Sequence, residues 1–330
     1  MPNSNKLPSW ELGLELFRDN VAWSQKYPIH RNLYGTLLTQ IQIEREGAVI
    51  SRSAVKSCID MLFNLSYPMP HVAFSQRPSL YLQEFEPAFL HTSVEFYRAE
   101  AEHMLERGDA AQYLRHVERR FLEEEERVTV YLKPSTAKDL RMLLETYLLS
   151  HHLSAIIEMP GSGIVAMLDE HRDQDLARMY TLFRRVSRGV DELRRGLRTY
   201  ILSKGAQIND TVSTIDATSS AGVAIAGIRK VSKSQEDADA PGNDTPAEGG
   251  SPAAATGKPR KSAAAGGAAP GAADGASSAQ AALALRWVEQ ILEFKSRFDS
   301  LLSSAFRSDS ALEGAISEVS NDSRGVGAPS

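Results

Sequence analysis

The chain of 330 residues has one cysteine, Cys58, so no intrachain disulfide can brace it. Cys58 sits in the apolar-periodic run "AVKSCIDMLFNL", where it reads as a small core residue rather than a reactive thiol. No stretch approaches the ~18 apolar residues that a membrane-spanning helix needs. The opening "MPNSNKLPSWELG" lacks the apolar segment of a signal peptide. The net charge is −5, so there is no overall basic field of the kind that draws a protein to nucleic acid. Catalytic and metal motifs are missing too. The eight histidines make no HExxH and no Cys/His set. "PGSG" at 160–163 is too short for a phosphate-binding loop and lacks its Lys-Ser/Thr, so it reads as a turn between helices. These absences lead to the expectation of a soluble, non-enzymatic protein of the cytoplasm and/or nucleus, with no cofactor, no metal and no nucleic-acid or membrane partner.

Helical periodicity fills the space that these motifs leave. Hydrophobic residues make up 42% of the chain, enough for one long or two ordinary domains. In 9–23 the apolar residues Trp10, Leu14, Phe17 and Val21 are spaced four, three and four, with Ser9 as a candidate N-cap. Further helices are expected in "IHRNLYGTLLTQIQIERE", which stops at Gly47, and in "SAVKSCIDMLFNL", opened by Ser51 or Ser53. After the proline-containing loop "SYPMPHVAFSQRPS" come two long helices, the first with a start or kink at Pro87. The second carries the acidic run Glu123–Glu126. Arg119, Arg120 and Arg127 stand close in sequence to these carboxylates, so the run reads as a solvated helix face rather than a metal cluster. Pro134 ends that helix, and Ser135 or Thr136 can cap the next. The segment "DLARMYTLFRRV" sets Leu176, Met179, Tyr180, Phe183 and Val186 on one face. Arg178, Arg184 and Arg185 are expected to face solvent or acidic partners. Asp173 reads as that helix's N-cap, with Asp175 in its first turn.

One segment breaks the pattern. Residues 232–282 are rich in Ala, Gly, Pro and Ser, and the whole of 206–280 is read as a disordered insertion. It carries too little branched or aromatic surface to offset the entropy of ordering. The weakly basic "GKPRKS" lies within it. The stripe returns with Trp287, Ile291, Phe294, Phe298 and Leu301, and residues 319–330 form a disordered tail. The pattern is therefore all-α, an elongated stack of antiparallel helices with no catalytic constellation. Glu100-Ala-Glu-His103 is a single copy of a motif that a di-metal helical site needs twice.

Five stretches carry a resemblance: "ELGLELFRDNV", "TLLTQIQIEREGAVISRSAVKSCIDML", "FEPAFLHTSVEFYRAEAEHML", "YLRHVERRFLEEEERV" and "IEMPGSGIVAMLDEHRDQDLARMYTLFRRVSRGVDELRRGLRTYI". They resemble the N-terminal half of a cullin of the cullin-3-like class, which uses BTB-domain adaptors, and "FKSRFDSLLSSAF" resembles its continuation. The resemblance implies a solenoid of cullin repeats. Residues 1–27 would be the last helix of the first repeat and 28–150 the second repeat. Residues 151–205 with 281–318 would be an incomplete third. It implies a non-catalytic scaffold stalk of a ubiquitin ligase, in ubiquitin-dependent protein degradation, with BTB-domain substrate adaptors and a RING subunit as partners. The family helices that make most of the adaptor surface and the RING-binding half have no counterpart in this sequence, so weakened adaptor binding is expected. Only Trp10, Glu11 and Glu15 are candidates for contacting an adaptor. The competing expectation is an independent α-helical interaction protein without a ligase role.

Overall fold

A computed structural model describes residues 8–24, 26–27, 29–69, 72–210 and 273–314, with side chains described in all of these except 273–280. The chain divides into two units, Met1–Tyr200 with Leu301–Ser330, and Ile201–Ser300. Among the described residues every regular element is helical. The β feature among them is an isolated antiparallel bridge, Ser66 to Ser79, at the base of the loop between α3 and α4.

The first unit opens with α1 (Ser9–Phe17), which passes into a wider π turn at Arg18–Ala22. Pro8, not Ser9, occupies the capping position, so Ser9 is the first helical residue. Helix α2 (Ile29–Arg45) stops where Gly47 adopts a φ of +98°. That left-handed backbone lets the Ala48 N–H close on the Ile43 carbonyl at 3.1 Å, and glycine adopts it without a Cβ penalty. Helix α3 (Arg52–Asn64) follows, with Ser51 at its cap. A π segment at Tyr81–Phe85 feeds α4 (Glu86–Glu106), with Pro87 in the first turn, where a missing N–H costs nothing. Helix α5 (Ala110–Val130) is capped by Asp109, whose carboxylate takes the Gln112 N–H at 3.0 Å. The "PGSG" turn supplies the second cap. Ser162 Oγ accepts from the Ala110 N–H at 3.0 Å and donates to the Gly108 carbonyl at 2.9 Å. A turn that looked featureless in sequence thus holds the start of a helix far away along the chain.

Helix α6 (Thr136–Leu144) widens into a π segment at Glu145–Ser150, where the buried Tyr113 hydroxyl donates to the Leu148 carbonyl at 2.8 Å. Short helices α7 (Leu153–Ile157) and α8 (Ile164–Asp169) lead to α9 (Asp173–Phe183). The expected stripe on α9 is buried throughout: Leu176, Met179 and Phe183 are 0% exposed, Tyr180 2% and Val186 8%. The cap assignment differs. Asp173 is the first helical residue and Arg172 holds the cap position. A tight reversal then leads into α10 (189–210). Gly189 lies so close to the end of α9 that a Cβ there would sit 2.1 Å from the Phe183 carbonyl oxygen.

Helix α11 (Ala273–Ser304) begins inside the span expected to be disordered, and α10 likewise reaches 210, past the expected boundary at 205. The rest of the insertion, with "GKPRKS", and the tail from 315 lie outside the described residues. In the second unit the Trp287 indole donates to Asn209 at 2.9 Å, and the Phe294 and Phe298 rings pack 4.9 Å apart. Back in the first unit, Leu301, Phe306 and Leu312 are buried. The Phe306 ring meets Tyr180 edge-on at 5.8 Å, and the Tyr180 hydroxyl donates to Asp309 at 2.6 Å.

Because Phe183 is fully enclosed, Phe183→Ala is expected to cost about 3–5 kcal/mol and to lower the melting temperature clearly. An exposed neighbour such as Arg188 is the control; Arg188→Ala is expected to stay within about 0.5 kcal/mol. Paired thermal melts read the difference, and equal midpoints would refute the core role of this stripe.

Candidate functional site

Helix α1 is inverted relative to the usual amphipathic helix. Its inward edge is largely polar. Arg18 is 4% exposed and donates to the Ser66 carbonyl at 2.8 Å and to Asp19 at 2.7 Å. Glu15 pairs with Arg77 at 2.5 Å, and Arg77 in turn holds the Val72 carbonyl at 2.9 Å. Leu14 is partly buried against the core. Ala22 in the π turn that follows is also buried; the other apolar residues face out, with Trp10 at 74% exposure and Leu12, Leu16, Phe17 and Val21 also exposed. The spacing of Trp10, Leu14, Phe17 and Val21 suggested a packed stripe; only Leu14 fulfils it. Leu12 and Leu16 broaden the outer face and were not apparent from that spacing. Of the three candidate residues, Trp10 is exposed, Glu11 is half-buried, and Glu15 is engaged by Arg77. Trp10 is therefore the most exposed of the three.

The acidic run on α5 holds the clearest departure from expectation. It is not simply a solvated face, because Glu124 is 1% exposed. Arg45, at the end of α2, donates to both Glu124 oxygens at 2.8 and 3.2 Å and to Ser93 Oγ at 2.9 Å. Its guanidinium lies 5.0–5.4 Å from the ring centres of Phe89, Phe96 and Tyr97. Glu124 also accepts from Arg127 at 2.9 Å and from the Tyr97 hydroxyl. Arg127 reaches Glu44 at 2.9 Å, and Glu44 further accepts from Tyr131 at 2.7 Å. Arg120 donates to the Arg45 carbonyl at 2.9 Å, to Glu123 at 2.6 Å and to Glu100. This settles Glu100-Ala-Glu-His103 as well: Glu100 is engaged by Arg120 and His116, while His103 is exposed.

Charge stays on these carboxylates despite their enclosure. Burial pushes the Glu124 carboxyl up, but Arg45 and Arg127 outweigh it and hold it below the usual carboxylate range. Glu44 follows the same balance, burial against Tyr131, Arg52 and Arg127, and Glu100 does so with His116 and Arg120. The network leaves no open coordination position. Among the described residues no group of three His, Cys, Asp or Glu side chains is placed to hold a metal ion. The acidic cluster near the start of α9 is also ion-paired: Asp175 is 6% exposed and accepts from Arg115 at 3.0 Å and Arg178 at 2.8 Å. Among the described residues no helix is long and apolar enough to cross a membrane.

Successive short-looped helices with an apolar and ion-paired interior are of the α-solenoid class. The family profile described as the Cullin alpha solenoid domain matches residues 2–324, and the chain belongs to the cullin family. It is 36% identical to Cullin-3A of Arabidopsis thaliana over 197 residues, 60% of this chain and 25% of that protein. Cullin-3 of Dictyostelium discoideum is 36% identical over 205 residues, and human Cullin-4A is 36% identical over 206; each match covers 62% of this chain and 25% of the relative. The matched region thus spans about a quarter of the length of these relatives.

Removing one member of the buried network strands its partners. Glu124→Gln is expected to destabilise the first unit by about 3–5 kcal/mol. The pH dependence follows from the sign of the shifts. Carboxyls held below their ordinary value contribute stability that is fully present above the unfolded value of about 4.3 and is lost as pH falls through the folded one. Acid titration of the melting temperature is therefore expected to show a steep loss below about pH 4 in the native chain and a shallower one in Glu124→Gln. Parallel curves would show that Glu124 does not carry the acid sensitivity.

Proposed function

We propose that this chain belongs to the scaffold stalk of a cullin-RING ubiquitin ligase, which links substrate adaptors to the catalytic RING end in ubiquitin-dependent protein degradation. On this reading the chain is a non-catalytic subunit of the cytoplasm and/or nucleus, and a RING subunit is a partner of the complete scaffold. Residues 1–27 close the first repeat, 28–150 make the second, and 151–205 with 281–318 belong to the third. The return of Phe306 and Asp309 onto Tyr180 supports that last grouping.

We further infer that α1 contributes to an adaptor surface and that the adaptor is a BTB-domain protein. The observation that carries this is the outward apolar face of α1, with Trp10 at 74% exposure, held from behind by Glu15–Arg77 and Arg18–Ser66. An exposed tryptophan on a helix fixed by directional contacts has the character of an interface anchor. The two Cullin-3 relatives favour the BTB class. Human Cullin-4A matches at the same identity, so the adaptor class is a question for experiment.

Calorimetry of the full chain with a purified BTB-domain adaptor tests the assignment. Binding in the micromolar range or weaker is expected. Trp10→Ala is expected to weaken it by roughly tenfold or more, in the manner of a central anchor, without moving the melting temperature. No heat at any attainable concentration would remove the BTB assignment. Binding that is indifferent to Trp10→Ala would move the adaptor surface off α1.

A further inference from the structure

Five exposed arginines of the first unit have a carboxylate partner: Arg115 with Asp175, Arg119 with Glu123, Arg141 with Glu125, Arg194 with Asp191 and Arg195 with Glu192. The reversal between α9 and α10 is different. Arg184, Arg185 and Arg188 are exposed within a span of five residues, and none lies within 4 Å of a carboxylate among the described residues. Two of them are shelved on aromatic rings instead. The Arg184 guanidinium lies 5.5 Å from the Tyr180 ring centre, and that of Arg185 lies 4.5 Å from Phe121. Stacking of this kind fixes the plane of a guanidinium and leaves its N–H fork open to a second partner.

The backbone holds this group in place. Successive N–H groups of Arg184, Arg185, Val186 and Gly189 bond back to the carbonyls of Tyr180, Leu182, Phe183 and Val186 at 3.0–3.1 Å. The missing side chain of Gly189 permits the close approach to Phe183. A fourth arginine comes from the far side of the insertion. Arg307 follows Phe306, whose ring packs on Tyr180, and Arg307 and Ser308 both have positive φ, 53° and 54°. Residues other than glycine are held there at a cost, and such strain gathers at functional surfaces. Two carboxylates reach the group. Asp309 is already engaged by the Tyr180 hydroxyl and the Ala311 N–H, and Glu145 is half-buried with its carboxyl pushed up by burial. Asp309 offsets part of the charge of Arg184 and Glu145 part of that of Arg185, and four cations against two carboxylates still leave an excess of positive charge on a chain whose net charge is −5.

We propose that Arg184, Arg185, Arg188 and Arg307 form a docking surface for an acidic peptide segment of a partner protein. Preorganised guanidinium forks suit carboxylates, which they engage in pairs of parallel hydrogen bonds. Four arginines, two of them backed by different rings, match several carboxylates of a short Asp/Glu run better than a single small anion. The surface is separate from α1 and does not depend on the adaptor assignment.

Fluorescence anisotropy of a labelled Glu/Asp-rich decapeptide with the full chain tests this. Saturable binding is expected at low salt, falling steeply as salt is raised. Arg184→Gln/Arg185→Gln/Arg188→Gln is expected to weaken it about tenfold, a few-fold for each exposed contact. Because two of these side chains stack on core rings, Arg188→Gln alone is the companion variant. It is expected to bind about threefold more weakly with an unchanged melting temperature. Peptide binding that is equal in the native chain and the triple variant would overturn the proposal. So would equal binding of a Lys-rich decapeptide. Tighter binding of duplex DNA, or of vesicles containing phosphatidylserine, would assign the surface to those polyanions instead.

Discussion

The ion chain Glu44–Arg127–Glu124–Arg45 fixes three helices by direction as well as by burial. Apolar side chains set how tightly α2, α4 and α5 pack, but oil-like contacts tolerate sliding. A guanidinium that must meet two carboxylate oxygens, a serine hydroxyl and three aromatic rings tolerates little. Arg45 sits at the last turn of α2, where a cation also complements the helix dipole, and Arg120 takes the carbonyl that this helix end leaves open. The same residues therefore end one helix and set the register of two others. Buried ion pairs offer little net stability over a well-packed apolar substitute. The directional contacts of this network hold α2, α4 and α5 in one arrangement.

The helices were legible in sequence because their apolar spacing is set by the 3.6-residue turn, and α2, α3 and α9 appear where the sequence placed them. The stripe of α9 was read residue by residue, down to Val186. The family resemblance was legible for a different reason, since long ordered stretches carry more information than periodicity does. What could not be read was partnership between distant charges. Glu123–Glu126 and Arg119, Arg120 and Arg127 lie on one helix, so their neighbours in sequence look sufficient to pair them. Arg45, which changes the environment of Glu124 from solvent to core, is seventy-nine residues away.

The outward face of α1 was illegible in sequence for the opposite cause. An apolar stripe says that a helix has something to cover, not which molecule covers it. On α1 the inward contacts are made by Glu15 and Arg18, polar residues whose partners in the loop after α3 have no periodic signature. The Trp10 stripe is left outside. Burial alone distinguishes the two cases, and burial depends on tertiary structure.

The meeting of Tyr180 with Phe306 and Asp309 closes a long loop of chain on the first unit. Closing such a loop costs entropy that rises only with the logarithm of its length, about 0.6 kcal/mol for each doubling. An aromatic edge contact and a hydrogen bond hold the two ends together. A change in the length of chain between these two ends is therefore only weakly penalised by closure entropy.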